Sequence, residues 1–272
     1  MTKSIDTLVE DIYGLFKSVG PTFTPQAVSE FAVALAARIA SKVKDSQYVP
    51  ALRLSNIGTP CDRKLWYGIR HPELAEALPP AARIKFLFGD ILEELLLFLA
   101  RQSGHTVTDE QKEVEINGVK GHIDGKIDGE TADCKSASSY SFNKFADGLK
   151  EEEDSFGYLK QLGNYCYAEK EPRGHFLVID KTLGKICLDT HDTPDIDYDK
   201  IVDDKREMLS KDAPPARGYV DIAEGKAGNK KLGVVCSYCQ FKEACWPGLR
   251  MVQYVKGPVF FTTIVKEPKV KE

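Results

Sequence analysis

Two carboxylates and an ammonium group lie close together in the middle of the sequence. Asp124 follows Gly121 by three positions, and Asp133 precedes Lys135 by two. Carboxylate oxygens are the ligands that hard divalent cations such as Mg²⁺ prefer in proteins. A lysine beside such a cation can orient a water molecule or stabilise charge that develops on a phosphate. These residue types therefore indicate metal-assisted hydrolysis of a phosphodiester.

Short strands joined by tight turns are predicted to position these groups. Asn117-Gly118 is a strong hairpin signal, and residues 119–124 are predicted to form its return strand. A turn at Asp128-Gly129 precedes a third predicted strand over residues 130–136. If the last two strands lie side by side, each brings one carboxylate to the same cation.

The third strand determines which side chains share a face. Successive side chains of a strand point to opposite faces, so Asp133 and Lys135 are predicted on one face and Cys134 on the other. A plainer interpretation stays open at this point, because the Asp-Gly pairs at 124–125 and 128–129 also suit ordinary turns.

Two helices are predicted to contribute further polar groups. Residues 86–101 are an apolar-periodic stretch in which Glu93 or Glu94 could supply a third carboxylate. Residues 157–168 are another, and they contain Gln161 and Tyr165 four positions apart. That spacing places the two side chains on one helix face.

Four of the seven cysteines are spaced as metal ligands. Cys236, Cys239 and Cys245 form a compact loop of thiols, and Cys61 lies far upstream. Thiolates at this spacing bind zinc or an iron–sulfur cluster, and the spacing leaves both open. The other three cysteines fall within predicted strands or helices, where a small buried apolar role is expected.

In their order along the chain, the motifs Gly-x-x-x-Glu, Gly-x-x-Asp, Asp-x-Lys and Gln-x-x-x-Tyr resemble those of the PD-(D/E)XK nuclease superfamily, in particular its RecB-like and Cas4-like branch. Cas4-like proteins also carry one cysteine ahead of the nuclease core and three behind it, as this chain does. The resemblance covers about residues 50–248. It implies an α/β fold with a restriction-endonuclease-like core, whose mixed central β-sheet is flanked by helices.

The resemblance also implies roles for the residues on the predicted strands. Asp124 and Asp133 would bind the catalytic metal, Mg²⁺ or Mn²⁺, together with the carbonyl oxygen of Cys134. Lys135 would be the catalytic lysine.

The helical motifs match residue by residue as well, with one departure. Gln161 and Tyr165 would support the site from their helix and contact DNA. Many relatives carry histidine where this chain has a glutamate on the long helix. Glu93 is preferred to Glu94 as the helical metal ligand, because its spacing from Gly89 fits the motif.

For the four spaced cysteines the resemblance favours a [4Fe-4S] cluster over Zn²⁺. We expect this cluster to be structural, because it would join two distant parts of the chain and metal binding is coupled to folding. The ligands would be Cys61, Cys236, Cys239 and Cys245.

Three segments are predicted along the chain. Residues 1–50 form an N-terminal helical segment, residues 51–210 the nuclease core, and residues 211–272 a linker, the cysteine-cluster loop and a C-terminal tail. Two further strands and a helix are predicted to complete the core, at residues 176–180, 186–189 and 198–209.

The composition is that of a folded protein with no excess of basic residues. Hydrophobic residues make up 42% of the chain, and 37 basic and 41 acidic residues give a net charge of −4, which argues against indiscriminate coating of nucleic acid. Local lysines can still follow a DNA backbone, and Lys144, Lys150 and Lys160 are candidates. The acidic run 150–154 is predicted to be solvated and mobile.

Without a membrane-length apolar stretch or a signal pattern, a cytoplasmic location is expected, with no membrane association.

The expected function is that of a divalent-metal-dependent DNA nuclease. We expect an exonuclease on single-stranded DNA or duplex ends, acting in recombination, repair or the processing of CRISPR or phage DNA, with other DNA-processing proteins as partners. Buried aromatic-lined grooves near Tyr165 or Trp66 are expected to stack unpaired bases. One alternative is a DNA-binding assembly component with a structural metal cluster and little hydrolysis. Another is a zinc-stabilised binding module with no hydrolysis.

Overall fold

The computed structural model describes residues 3–17, 20, 23–43 and 49–268. Its α-helices are α1 (Leu8–Gly14), α2 (Pro25–Val43), α3 (Asp62–Arg70), α4 (Pro80–Gln102), α5 (Ser139–Ala146), α6 (Tyr158–Glu169), α7 (Tyr198–Ser210), α8 (Val234–Ser237) and α9 (Lys242–Cys245). Its strands are β1 (Val107–Thr108), β2 (Glu113–Ile116), β3 (Val119–His122), β4 (Gly125–Ile127), β5 (Glu130–Ala137), β6 (Arg173–Asp180), β7 (Ile186–Asp192), β8 (Ile222–Glu224), β9 (Asn229–Lys231), β10 (Arg250–Tyr254) and β11 (Gly257–Thr263). Short 3₁₀-helices occur at Ile5–Thr7, Pro72–Leu74 and Glu151–Glu153.

The chain divides into two compact units, each built from two segments. The first unit consists of Met1–Gly58 and Pro79–Asp203 and contains the five-stranded central sheet. The second consists of Thr59–Leu78 and Asp204–Glu272 and contains a four-stranded sheet. The three-segment division from the sequence stays a prediction.

The central sheet has the strand order β1-β4-β5-β6-β7. Strands β5 and β6 run parallel, with Asp133 beside Phe176, whereas the other neighbouring pairs are antiparallel. Because α5 and α6 lie between β5 and β6 in the chain, they form the crossover that a parallel pair requires. The predicted α/β fold, with a mixed central β-sheet flanked by helices, is confirmed.

Apolar side chains cover both faces of the central sheet. On one face, Cys134 of β5 packs in a core with Leu97 of α4 and Ile12 of α1. On the other face, Phe176 of β6 packs with Leu162 of α6 and with Phe142 and Phe145 of α5. Strand β6 is buried along nearly its whole length, as is usual for a strand covered on both faces.

The predicted hairpin is present, but its return strand is shorter than expected. Asn117 and Gly118 both have positive φ, the conformation of a tight hairpin turn. Strand β3 ends at His122 rather than at Asp124 and pairs with β2 in a separate two-stranded sheet. The chain bends at Asp124, and β4, which was not predicted, lies beside β5 instead.

Two helices, α1 and α2, lie within the segment that was predicted to be helical. The hydroxyl of Thr24 accepts a hydrogen bond from the backbone N–H of Ala27 at 3.1 Å, which caps the start of α2. Helix α4 begins at Pro80 rather than at Phe86, since proline suits the first helical position. Across the described ranges, no helix is both long and apolar enough to cross a membrane.

The sheet of the second unit has the strand order β10-β11-β9-β8. Strands β8 and β9 lie within residues 211–272, where a linker, the cysteine-cluster loop and a tail were predicted but no strand. Each of these strands has three residues, which is too short for an alternating pattern to stand out.

Candidate active site

Strand β5 presents Asp133 and Lys135 on the same face, as the alternation along a strand predicts. The ammonium group of Lys135 forms an ion pair with Oδ2 of the buried Asp133. Cys134 points to the opposite face, into the core beneath α4. One face of β5 therefore carries the polar groups of the site, and the opposite face packs in the apolar core.

Asp124 reaches the same place from the bend that precedes β4. Gly125 pairs with Ala132 in the antiparallel ladder, so Asp124 and Asp133 are the next residues outward. The backbone N–H of Cys134 donates a hydrogen bond to Oδ2 of Asp124 at 2.8 Å. This bond fixes the bend and brings one carboxylate from each of two neighbouring chain segments together.

The three charged groups influence one another strongly. Burial, and then the negative charge of Asp133, raise the pKa of Asp124 to about 6. For Lys135, burial lowers the pKa, but the charges of Asp133 and Asp124 outweigh it and hold the pKa above its usual range. With both carboxylates ionised, the site carries more negative than positive charge.

Helix α6 supports this face through Gln161 and Tyr165. Nε2 of Gln161 donates to Oδ1 of Asp133 at 3.4 Å and to the hydroxyl oxygen of Tyr165 at 3.2 Å.

Tyr165 is 1% exposed and Trp66 is 2% exposed, so neither ring has a free face. These two rings are therefore closed to unpaired bases, and a stacking groove near them stays a prediction.

The start of α6 is held by a residue that the sequence analysis missed. The carboxylate of Asp154 accepts backbone hydrogen bonds from Phe156 at 3.2 Å, Gly157 at 2.8 Å and Leu159 at 2.9 Å. The acidic run that ends in Asp154 was predicted to be solvated and mobile, and in the structure it contains a short 3₁₀-helix at Glu151–Glu153 with no buried residue. An aspartate a few residues before an apolar-periodic helix is a capping signal and could have revealed it.

The two glutamates of α4 have different surroundings. Glu93 forms an ion pair with Arg38 of α2 and accepts a hydrogen bond from Nε2 of Gln111 at 2.8 Å. Glu94 is buried, and burial, together with the charge of Glu110, raises its pKa. The structure thus brings Asp124 and Asp133 together but leaves Glu93 bound to other partners.

The carboxylate pair fits a hard divalent cation as a partial ligand set. Within the part of the chain that the structure describes, no group of three or more His, Cys, Asp or Glu side chains is arranged to hold a metal ion. Oδ2 of Asp133 is buried, and its contact among the described residues is the ion pair with Lys135. Mg²⁺ commonly takes one or two carboxylates and completes its shell with water and phosphate oxygens. Asp124 and Asp133 suit that pattern.

The four spaced cysteines all fall in the second unit. Burial, and then the charges of Cys239, Cys245 and Cys61, raise the pKa of Cys236 to about 11. The four thiols are therefore close enough to interact, although the described residues do not form a complete metal-ligand group. A set made only of sulfur donors suits a soft metal centre rather than Mg²⁺.

No family model and no curated protein matches the sequence. Solved structures that resemble it include SSO0001, with a TM-score of 0.43 and 18% identity over 80% of this chain and 96% of that chain. Another is an alkaline exonuclease, LHK-Exo from Laribacter hongkongensis, with a TM-score of 0.36 and 13% identity over 64% of this chain and 89% of that chain. The structure of LHK-Exo in complex with dAMP has a TM-score of 0.38 and 15% identity over 66% of this chain and 89% of that chain. Such low scores carry no argument about function. The argument about function therefore rests on the residues of the site.

Proposed function

We propose that this chain is a divalent-metal-dependent deoxyribonuclease. The observation that supports the proposal best is the convergence of Asp124, Asp133 and Lys135 on one face of the central sheet. Two carboxylates can bind a divalent cation, and a neighbouring ammonium group can stabilise negative charge on a phosphate. Both contributions assist phosphodiester hydrolysis. Their buried setting also strengthens each charge–charge interaction.

Each residue of the site has a distinct task in this proposal. Asp124 and Asp133 would hold Mg²⁺ or Mn²⁺, with the carbonyl oxygen of Cys134 as a further ligand. Such an ion would supply activation of water and would offset the charge of the phosphate. Lys135 donates hydrogen bonds to the phosphate oxygens as their charge grows. Gln161 orients Asp133 through the hydrogen bond to Oδ1.

The finer features of the activity follow from the motif resemblance. We infer exonuclease action on single-stranded DNA or duplex ends, in recombination, repair or the processing of CRISPR or phage DNA. Glu93 would be a further metal ligand in this proposal only without its ion pair to Arg38. From the motif resemblance and the cysteine spacing we also infer a structural [4Fe-4S] cluster, with Zn²⁺ as the alternative, at Cys61, Cys236, Cys239 and Cys245.

Two substitutions test the proposed reaction. DNA labelled at the 5′ or 3′ end, single- or double-stranded, is incubated with Mn²⁺ and the protein. Asp133→Asn and Lys135→Ala should each reduce hydrolysis by about 10²-fold or more while the circular dichroism spectrum is unchanged. Lys120→Ala is the matched control, because this exposed lysine pairs with Glu113 at 2.7 Å on the β2-β3 hairpin, and activity should be retained. Normal hydrolysis by both site variants would overturn the assignment.

A further inference from the structure

A cavity of about 370 Å³ opens beside Lys135, at the end of β5. Its lining contains four lysines and two carboxylates, so its charge balance is positive in a protein whose net charge is −4. Serine hydroxyls from β5 and α5 add neutral hydrogen-bonding groups to the lining. Ammonium and hydroxyl groups together suit a phosphate. The four lysines are Lys85, Lys135, Lys144 and Lys181.

Two stacked aromatic rings form one wall of this cavity. Phe156 and Tyr158 have their ring centroids 5.2 Å apart and their planes 22° from parallel. The ammonium nitrogen of Lys135 lies 4.9 Å from the centroid of the Tyr158 ring. Phe156 is 69% exposed. The wall therefore runs from the proposed reaction centre to an apolar ring that is open to solvent.

The loop that carries Phe156 is held from both ends. Asp154 accepts three backbone hydrogen bonds from the residues that follow it, including the one from Phe156 at 3.2 Å. Gly157 has a φ of +79°, and a Cβ built there would overlap the carbonyl oxygen of Gly58, so the two backbones cross in close contact. Nζ of Lys144 donates to the carbonyl oxygen of Glu153 at 3.1 Å. An exposed ring on a fixed loop loses little conformational entropy when a flat ligand stacks on it.

We propose that this cavity binds an unpaired nucleotide next to the scissile phosphate, with its base stacked on Phe156. The proposal rests on the proposed nuclease function, because Lys135 identifies the reaction centre. The phosphate of that nucleotide lies against Lys85, Lys144 and Lys181. A base inside a duplex has both faces stacked on its neighbours, so an unpaired base can cover Phe156 without loss of that stacking. Phe156 is thus the residue that selects single-stranded over double-stranded DNA.

Binding without hydrolysis tests the stacking contact directly. A fluorescently labelled oligo(dT) is titrated with the protein in EDTA, and anisotropy gives the dissociation constant. Phe156→Ala should weaken binding roughly 10-fold, in the range of base–aromatic stacking, and Phe156→Tyr should restore it. Phe16→Ala is the matched control, since Phe16 is a 52% exposed ring in the N-terminal segment, outside the cavity lining, and binding should not change.

An abasic oligonucleotide with the same backbone separates stacking from electrostatic attraction. The wild-type protein should bind it about as weakly as Phe156→Ala binds oligo(dT), and Phe156→Ala should cause no further loss. If Phe156→Ala binds oligo(dT) like the wild type, or weakens both oligonucleotides equally, the stacking site is wrong. A wild-type protein that does not bind oligo(dT) would also contradict the stacking site.

Hydrolysis measured in parallel keeps the two proposals apart. If Mn²⁺ supports no hydrolysis but the binding pattern above holds, the nuclease proposal fails and the nucleotide site stands. If hydrolysis occurs on single-stranded DNA but Phe156→Ala changes neither binding nor the ratio of single- to double-strand cleavage, the nucleotide site fails and the nuclease proposal stands.

Discussion

Arg38 of α2 forms an ion pair with Glu93 of α4, the residue that the sequence motif offers as a third metal ligand. The same glutamate oxygen accepts a hydrogen bond from Gln111 at 2.8 Å. The charge of Arg38 also acts on Asp124, whose pKa it lowers slightly against the larger effects of burial and Asp133. Helix α2 therefore places a fixed cation beside the proposed metal site.

We predict that Arg38→Ala tightens Mn²⁺ binding about 5-fold, which corresponds to ~1 kcal/mol. The substitution removes a group that both repels the ion and holds Glu93 away from it. Isothermal titration with Mn²⁺ measures the effect without DNA. Arg38→Lys, which keeps the charge, should bind Mn²⁺ like the wild type. Unchanged or weaker binding by Arg38→Ala would show that Arg38 does not compete with the ion.

The raised pKa of Asp124 predicts a pH-dependent stability of the metal-free protein. The folded state favours the protonated carboxyl, because the pKa rises from 3.8 to about 6. Its contribution to stability is fully present below the ordinary pKa and is lost as pH rises through about 6. At neutral pH the ionised Asp124 is therefore destabilising unless a cation is bound.

Asp124→Asn should accordingly stabilise the metal-free protein, and more so at pH 7.5 than at pH 4.5. We expect the difference between the two gains to be about 1–2 kcal/mol in urea unfolding with EDTA. Asparagine retains an oxygen that accepts the N–H of Cys134, so the bend is preserved. Asp195→Asn, at an exposed carboxylate, should change stability equally at both pH values. Equal gains for Asp124→Asn at both values would contradict the burial of a charged group.

The close crossing of Gly157 and Gly58 predicts a large cost for one added methyl group. Gly157→Ala should lower the free energy of unfolding by about 2–4 kcal/mol, because it combines a positive φ with overlap onto backbone atoms that cannot move aside. Gly184→Ala isolates the first effect, since its φ is +68° but its Cβ would meet no described heavy atom within 4 Å. It should cost about 1 kcal/mol. Equal costs in urea unfolding would mean that the loop carrying Phe156 is not fixed by this contact.

Features confined to one element were predictable from the sequence. The two-residue period of a strand places Asp133 and Lys135 on one face, and the helical period places Gln161 four positions from Tyr165. The bend at Asp124 was not predictable, because alternation continues through it and the hydrogen bond that stabilises it comes from another strand.

Contacts between distant segments left no local signal. Arg38 reaches Glu93 across 55 positions of the chain, and nothing in the helical pattern of α2 distinguishes this arginine from a solvated one. Helix α5 was also missed, because its eight residues are too few to establish a clear helical period. Both omissions concern the surroundings of the site, whereas the residues at its centre could be proposed from their types and spacing.

The spaced cysteines give a prediction that is independent of the nuclease site. If they hold a metal centre, Cys239→Ser should abolish it and reduce the stability of the protein, because the centre would join the segment containing Cys61 to the C-terminal segment of the second unit. Anaerobically purified wild type should contain iron and sulfide and be brown, whereas the variant should be colourless, less stable to urea and less active.

Cys187→Ser is the control for loss of a partly buried thiol, since Cys187 lies on β7 in the first unit, and it should leave the metal content unchanged. Zinc in place of iron would select the alternative centre. A Cys239→Ser variant with wild-type metal content, or one that is colourless yet equally stable and active, would contradict a structural role. The four thiols would then be held together by packing within the second unit and not by a shared ion.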